Sequence, residues 1–315
     1  MARPLRITYP GAYYHVTTRG NERTDIYKSQ RDREKFLTYL ESASERYGAV
    51  FHAYCLMRNH YHLLLETPQG NFPEIMQHIN GAYTTYFNVK RKRAGHLFQG
   101  RYKAILVEAD EYAVELSRYI HLNPVKVGVV SKPEEYRWSS YCAYIGNSTT
   151  FSWLNTDLIL GCFAQKMETA HNKYRKFVED MIGKEYESPL RKTFGSAILG
   201  TEAFIEEISQ LHIAGIEPDR NLPALRQFDA RLLPEEIVGK VKSIFGDNEK
   251  LARNASIHIC HKYSGVKLKE IGQYFAVRES AITEASRRFQ LKMEKEKELG
   301  EKIKQVKGLL KIWNV

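Results

Sequence analysis

Met57-Arg58-Asn59-His60-Tyr61-His62-Leu63-Leu64-Leu65-Glu66 is the stretch on which the fold turns. In an extended strand, successive side chains project to opposite faces. His60 and His62 then share one face, while Tyr61, Leu63 and Leu65 pack on the other. Two neutral imidazoles on one rigid strand make two-thirds of a metal site. The same triplet fits two ordinary histidines on a polar face, so the rest of the chain must decide between them.

Outward from this strand, Ala12–Arg19 is rich in Tyr, Val and Thr, and Val50–Met57 mixes aromatic and apolar residues; both predict strands. Between them, Phe36, Leu40, Ala43 and Tyr47 recur at helical spacing and predict a helix over Asp32–Tyr47. The strand His60–Thr67 ends at Pro68. Ile75, Met76, Ile79, Tyr83 and Phe87 predict a second helix over Pro73–Val89, and Tyr102–Glu108 predicts a further strand. Asp110 is the expected cap of a helix running to Asn123, where Pro124 is expected to stop it. Short strands alternating with a few helices predict an α+β domain over residues 1–146, with helices on one face of an antiparallel sheet. The open face would carry the histidines.

Residues 147–245 read as a mainly helical connecting region, with connections at Glu187–Pro189 and Glu217–Pro223. From residue 246 the pattern changes to short helices. Leu251, Ala255 and Ile259 form one apolar stripe, and Leu268, Ile271 and Phe275 a second. A break at Ala276-Val277-Arg278 precedes a third helix with Ile282, Ala285 and Phe289, the succession expected of a helix-turn-helix unit. The Lys/Glu-rich tail from Lys292, with Leu299, Ile303, Val306 and Leu310 behind the charges, predicts a solvated amphipathic helix.

The bulk numbers narrow the class of partner. With 315 residues the chain has material for two or three domains. Its net charge of +10 points to a polyanion, and nucleic acid fits better than a membrane because no basic amphipathic lipid-binding segment stands out. No apolar run approaches the roughly 20 residues of a membrane span. The first residues lack the apolar core of a signal peptide, so a cytoplasmic protein is expected. Cys55, Cys142, Cys162 and Cys260 lie far apart without a C-x-x-C pair, which argues against structural zinc and for reduced thiols.

A second chemical feature lies in Arg118-Tyr119-Ile120-His121-Leu122-Asn123-Pro124. Tyr119 and Asn123 are four residues apart, so a helix sets them on one face. A tyrosine hydroxyl, with a reference pKa of about 10, is a poor nucleophile near neutrality. Beside a divalent metal and a polarised phosphate it can attack phosphorus and become covalently attached. Asn123 could then supply the oxygen ligand that two imidazoles leave missing. The alternative reading is a half-buried aromatic and a residue at a helix C-terminus.

Taken together, His-hydrophobic-His and a helix-borne Tyr-x-x-x-Asn resemble the HUH single-tyrosine transposases, and among them those associated with repetitive extragenic palindromes. Pro10-Gly11-Ala12-Tyr13-Tyr14-His15-Val16-Thr17-Thr18-Arg19-Gly20-Asn21 resembles the family's opening strand, and Gly95-His96-Leu97-Phe98-Gln99-Gly100-Arg101-Tyr102-Lys103-Ala104 its central motif. Tyr119 through Val130 and Trp138-Ser139-Ser140-Tyr141 resemble its closing segments, so the likeness runs in order through residues 1–146. The resemblance implies a ferredoxin-like or RRM-like antiparallel sheet. It further implies that His60, His62 and Asn123 hold Mg²⁺ or Mn²⁺ against a scissile phosphate of single-stranded DNA. Tyr119 would attack to leave a 5′-phosphotyrosine link and a free 3′-hydroxyl, and rejoining would be the reverse displacement, without ATP. Asn is a weaker ligand than a carboxylate, so a loosely held metal is expected.

The candidate DNA contacts follow the basic residues. Lys90-Arg91-Lys92-Arg93 is either a phosphate-binding run or a solvated face, while Arg101 and Lys103 sit in a family-like motif. Arg19 and Asn21, with His15, could face the active sheet or guide bases near the cut; His15 equally fits a structural histidine. His96 and His121 read as structural or supporting. Residues 251–282 are similar to the C-terminal DNA-binding domain of the bacterial replication initiator, which makes Arg278, Ser280, Thr283, Arg287 and Arg288 candidates for base or phosphate contact. The expected partners are single-stranded DNA and DNA hairpins. A monomer is expected, since one chain brings both the histidines and a tyrosine, with a dimer as the alternative. The chief rival to a nicking and joining enzyme is a non-cleaving, sequence-specific DNA-binding regulator on the same fold. An RNA-binding module fits poorly, because the aromatic Lys/Arg-Gly-Phe-type strand motif is absent.

Overall fold

The computed structural model describes residues 5–185, 187–213, 232–246, 248–264 and 266–310. It divides into two compact units, one over Arg6–Glu206 and the other built on residues from Glu207 onward. The expected connection at Glu217–Pro223 lies outside the described residues.

The first unit is α+β. Its elements run β1 (Ala12–Arg19), α1 (Gln30–Tyr47), β2 (Val50–Leu56), β3 (His60–Thr67), α2 (Phe72–Lys90), β4 (Lys103–Val107) and α3 (Ala109–Lys126). There follow α4 (Tyr141–Tyr144), α5 (Asp157–Leu160), α6 (Met167–Glu179), β5 (Ile198–Leu199) and α7 (Glu202–Ile208). The sheet order is β2-β3-β1-β4-β5. The first four strands are antiparallel, and the two-residue β5 joins β4 in parallel, so the sheet is mixed.

Alternation along β3 sorts the two faces. Tyr61 points to the side of α1 and α2: its hydroxyl donates to Asn80 Oδ1 at 2.7 Å and accepts from Thr18 Oγ1 at 2.9 Å, and its ring packs on Phe36. His62 points to the other side, where it meets Tyr119 of α3. The helices therefore flank the sheet, and the histidine face is partly roofed by α3 instead of standing open. The apolar side of α3 (Ala113, Leu116, Ile120) belongs to one buried cluster with Ala53, Cys55 and Leu64 of the sheet. Ile159, Leu160, Tyr174, Val178 and Leu199 join the same cluster, so residues beyond 146 complete this core.

Both expected ends of α3 are corrected. Asp110 is not its cap: the helix starts at Ala109, and Glu108, at the cap position, accepts hydrogen bonds from Thr201 N (2.6 Å) and Thr201 Oγ1 (3.2 Å). Nor does Pro124 end it, since α3 runs on to Lys126. A proline in the last turn removes only its own N–H, and the Ile120 carbonyl loses that one partner. The turn is closed by Val127 N to Asn123 O (3.2 Å) and Val129 N to Pro124 O (2.9 Å), with Gly128 at φ +71°.

Inside this core His121 is buried, with Nδ1 at 2.7 Å from Tyr174 Oη and Nε2 at 2.7 Å from Ser140 Oγ. Burial pulls its pKa from 6.5 down to about 3. The unfolded chain therefore takes up this proton first, and the stability His121 contributes is complete above pH 6.5 and is lost as pH falls toward 3. Between pH 7 and pH 5, urea unfolding of His121→Gln is expected to lose about 2 kcal/mol less stability than the wild type.

The second unit is helical: α8 (Pro234–Phe245), α9 (Glu249–Tyr263), α10 (Leu268–Phe275), α11 (Glu279–Lys295) and α12 (Lys297–Leu309). Ala255, Ile259, Ile271, Phe275, Ile282 and Phe289 share its core, as the three stripes predict. The tail differs from the expected solvated helix. The chain breaks at Glu296, and Leu299, Ile303, Val306 and Leu310 are buried in that core. The turn between α10 and α11 passes through Ala276 in the left-handed region (φ +51°). A Cβ on Gly272 would lie 2.7 Å from the Val277 carbonyl oxygen. Gly272→Ala is thus expected to destabilise this unit by about 1–3 kcal/mol, read as a lower urea midpoint.

Candidate active site

Residues directly opposite in an antiparallel ladder share a face. Thr17 pairs with both His62 and Lys103, and Arg19 pairs with His60. His15, Thr17, Arg19, His60, His62 and Lys103 therefore line one surface of three neighbouring strands. Its end is drawn together by Gly20 N to Asn59 O (2.8 Å), Asn21 N to Leu97 O (2.9 Å) and Gln99 N to Arg19 O (2.8 Å). These bonds gather Arg19, Asn21 and the loop before Arg101 around His60.

α3 brings Tyr119 to this surface. Its ring stands edge-on to His62 (centroids 5.7 Å, 90°) and to His15 (6.1 Å, 76°). Asn123, one turn on, is buried and donates Nδ2–H to the Tyr119 carbonyl at 2.8 Å. Among the described residues, that leaves Oδ1 as the end of its amide without a hydrogen bond.

The two imidazoles lie 5.0 Å apart between centroids. Burial, then the charge of Arg19, lowers His60 to about 4. Burial, then His15, His60 and Arg19, holds His62 well below its ordinary value. Both rings are neutral near pH 7, as a metal ligand requires. Asn59 Nδ2 donates to the Arg23 carbonyl at 3.1 Å, so its Oδ1 faces His60 Nδ1 at 2.7 Å. A carbonyl oxygen only accepts, so the His60 proton sits on Nδ1 and the lone pair on Nε2. By their chemistry, two imidazole nitrogens and an amide oxygen are donors that a divalent cation accepts.

The basic run has a different role at its start. Asp32, buried in the first turn of α1, accepts from the backbone N–H groups of Lys28 (2.8 Å) and Ser29 (3.0 Å). Lys90 Nζ reaches it at 2.9 Å, and Arg91 pairs with its other oxygen. Burial alone would raise this carboxyl, but the bonds from Lys90, the Lys28 N–H and Arg91 outweigh it and bring Asp32 down to about 2. Lys90 and Arg91 are thus committed to pinning the end of α2 onto α1, while Lys92, exposed, and Arg93, which donates to the His96 carbonyl at 3.0 Å, stand outside the clamp. Asp32→Ala is expected to cost about 2–3 kcal/mol in urea unfolding at pH 7, by stripping a buried partner from two cations and a helix cap.

In the second unit Arg278 caps α11, and Ser280 and Thr283 are exposed in its first turns. Arg287 and Arg288 both pair with Glu284, at 3.0 and 2.7 Å. Exposed pairs of this kind are screened by water and hold only weakly, so a phosphate can compete for either guanidinium.

An α+β sheet that presents an imidazole to a helix-borne tyrosine brings together groups that phosphoryl transfer can use. Residues 8–123 match the model of the family described as "Transposase IS200 like". A chain of Haemophilus influenzae named as a REP-associated tyrosine transposase is 26% identical over 142 residues, 42% of this chain and 80% of the relative. A solved structure titled as a REP-associated tyrosine transposase bound to a REP hairpin aligns with a TM-score of 0.42 at 17% identity, over 49% of this chain and 98% of that one. Residues 8–123 are thus similar to the IS200-like transposases, and the likeness is to DNA cleaving and joining enzymes of the tyrosine type.

Proposed function

We propose that this chain nicks and rejoins single-stranded DNA beside palindromic-repeat hairpins, with Tyr119 as nucleophile and with His60, His62 and Asn123 holding Mg²⁺ or Mn²⁺. The observation that carries the reading is the packing of the Tyr119 ring across His62 on the sheet face that also bears Arg19 and Lys103. Tyr119 Oη attacks the scissile phosphorus and gives up its hydroxyl proton to solvent, and the bond to O3′ breaks. The phosphate stays on the protein as a 5′-phosphotyrosine, and the departing O3′ takes up a proton from solvent as a 3′-hydroxyl, so the step has no net gain or loss of protons. The reverse displacement, by a 3′-hydroxyl on the phosphotyrosine, rejoins a strand without ATP. When bound, the cation polarises the phosphate as a Lewis acid. Arg19 and Lys103 hold the strand by its phosphates, Asn21 and Arg101 extend that path, and Lys92 and Arg93 add to it.

The name of the Haemophilus relative supports the palindromic-repeat target. The helix-turn-helix unit is assigned to the duplex stem, through Arg278, Ser280, Thr283, Arg287 and Arg288, while the first unit takes the single-stranded foot. No described helix is long and apolar enough to cross a membrane; the setting we assign is the cytoplasm, and the working form a monomer.

The test is direct. A hairpin oligonucleotide with its single-stranded flank is incubated with the protein and Mn²⁺, then run on a denaturing gel. A protein–DNA adduct is expected. Hairpin binding without an adduct across several flanking sequences would overturn the enzyme reading in favour of a regulator.

A further inference from the structure

His15 is buried on β1, and its Nε2 lies 3.1 Å from His62 Nδ1. A neutral imidazole carries one N–H and one lone pair. Two such rings that meet nitrogen to nitrogen can share their hydrogen bond in two ways. In the first, His15 Nε2–H donates to His62 Nδ1, and the proton of His62 sits on Nε2. In the second, His62 Nδ1–H donates to His15 Nε2, and His62 Nε2 keeps its lone pair. Only the second arrangement leaves His62 able to ligate a cation.

The two histidines of the motif are therefore not equivalent. His60 is preset, because Asn59 Oδ1 can only accept. His62 depends on a neighbour that can either donate or accept. The other nitrogen of His15, Nδ1, is buried without a hydrogen-bond partner among the described residues, so no further group fixes that choice.

We propose that His15 is a positioning residue: as the acceptor of His62 Nδ1–H it holds His62 in the tautomer whose Nε2 binds the metal. This rests on His60 and His62 being metal ligands. Without an acceptor at position 15, ligation would strand a buried His62 N–H, a penalty paid only by the metal-bound state.

Mn²⁺ binding to DNA-free Tyr119→Phe protein, followed by the EPR signal of free Mn²⁺, tests this without reference to cleavage. Added to that background, His15→Leu is expected to weaken Mn²⁺ binding about 10-fold or more. His15→Gln, whose amide oxygen takes the place of Nε2, is expected to bind within about 3-fold of the parent, because it restores an acceptor to His62 Nδ1. Parent-like binding by His15→Leu, or equal loss in both variants when both keep the parent melting temperature, would overturn the proposal. If the His15→Leu protein does not fold, ¹⁵N shifts of the Mg²⁺-loaded parent decide: a protonated Nδ1 on His62 is required, and a protonated Nε2 refutes it. Failure of the metal reading itself has a separate signature, since the parent would then bind Mn²⁺ no better than the same protein carrying His60→Ala.

Discussion

Tyr119→Phe is expected to abolish the covalent protein–DNA species and to lower strand cleavage by at least about 10⁴-fold. Affinity for the hairpin is expected to stay within about twofold of the wild type. The substitution removes one oxygen and keeps the ring, so the edge-on packing against His62 and His15 survives. Two nearby tyrosines, Tyr61 and Tyr13, are poorly suited to substitute. Tyr61 points to the opposite side of the sheet, where Thr18 and Asn80 occupy its hydroxyl. Tyr13 shares the histidine face, but burial, then a hydrogen bond to Glu66, raises its pKa well beyond the ordinary tyrosine range. A denaturing gel with end-labelled hairpin measures both quantities. An adduct that persists in Tyr119→Phe would assign the nucleophile elsewhere, and cleavage that persists without an adduct would make water the attacking group.

β1 and β3 have the bounds read from the sequence, because a two-residue alternation with one buried face leaves little freedom of register. The helices α1, α2 and α9 to α11 were legible from their stripes for the same reason at a period of 3.6. What escaped was tertiary. A stripe tells that α3 is amphipathic, not on which side of the sheet it will lie. The two residues of β5 are too few to carry any pattern. Residues such as Tyr174 and Val178 look like an independent helix until they are seen to complete the core under α3.

The site divides in the same way. The strand period placed His60 and His62 together, and the helix period placed Tyr119 with Asn123. Only the fold brings Tyr119 against His62. The run at residues 90–93 was open in the sequence between phosphate contact and a solvated face. The pairing of Lys90 and Arg91 with Asp32, 58 and 59 residues earlier in the chain, was not legible because a charge run carries no mark of such a partner. His15 was visible as a residue on the histidine face, but its bond to His62 depends on the offset between β1 and β3.

His60→Ala is expected to lower metal-dependent cleavage by about 10²–10³-fold, with hairpin affinity within about twofold and little change in melting temperature. His60 is half-buried, and its one side-chain hydrogen bond runs to Asn59 at the surface, so its removal leaves no closed cavity. His62→Ala should match that loss of cleavage but should also unfold more easily, by about 1–2 kcal/mol, because it strips the buried His15 of its hydrogen bond. The pair of variants therefore separates two roles that a single substitution confounds. If both imidazoles serve the phosphate through a shared cation, the two cleavage losses coincide while the two stabilities diverge, and the double variant loses little more activity than either single one. If the histidines served only to build the sheet, cleavage would instead track stability, and His60→Ala would cut nearly as well as the wild type. Measured together, the Mn²⁺ dependence of cleavage, hairpin affinity and urea unfolding of these variants distinguish the two cases.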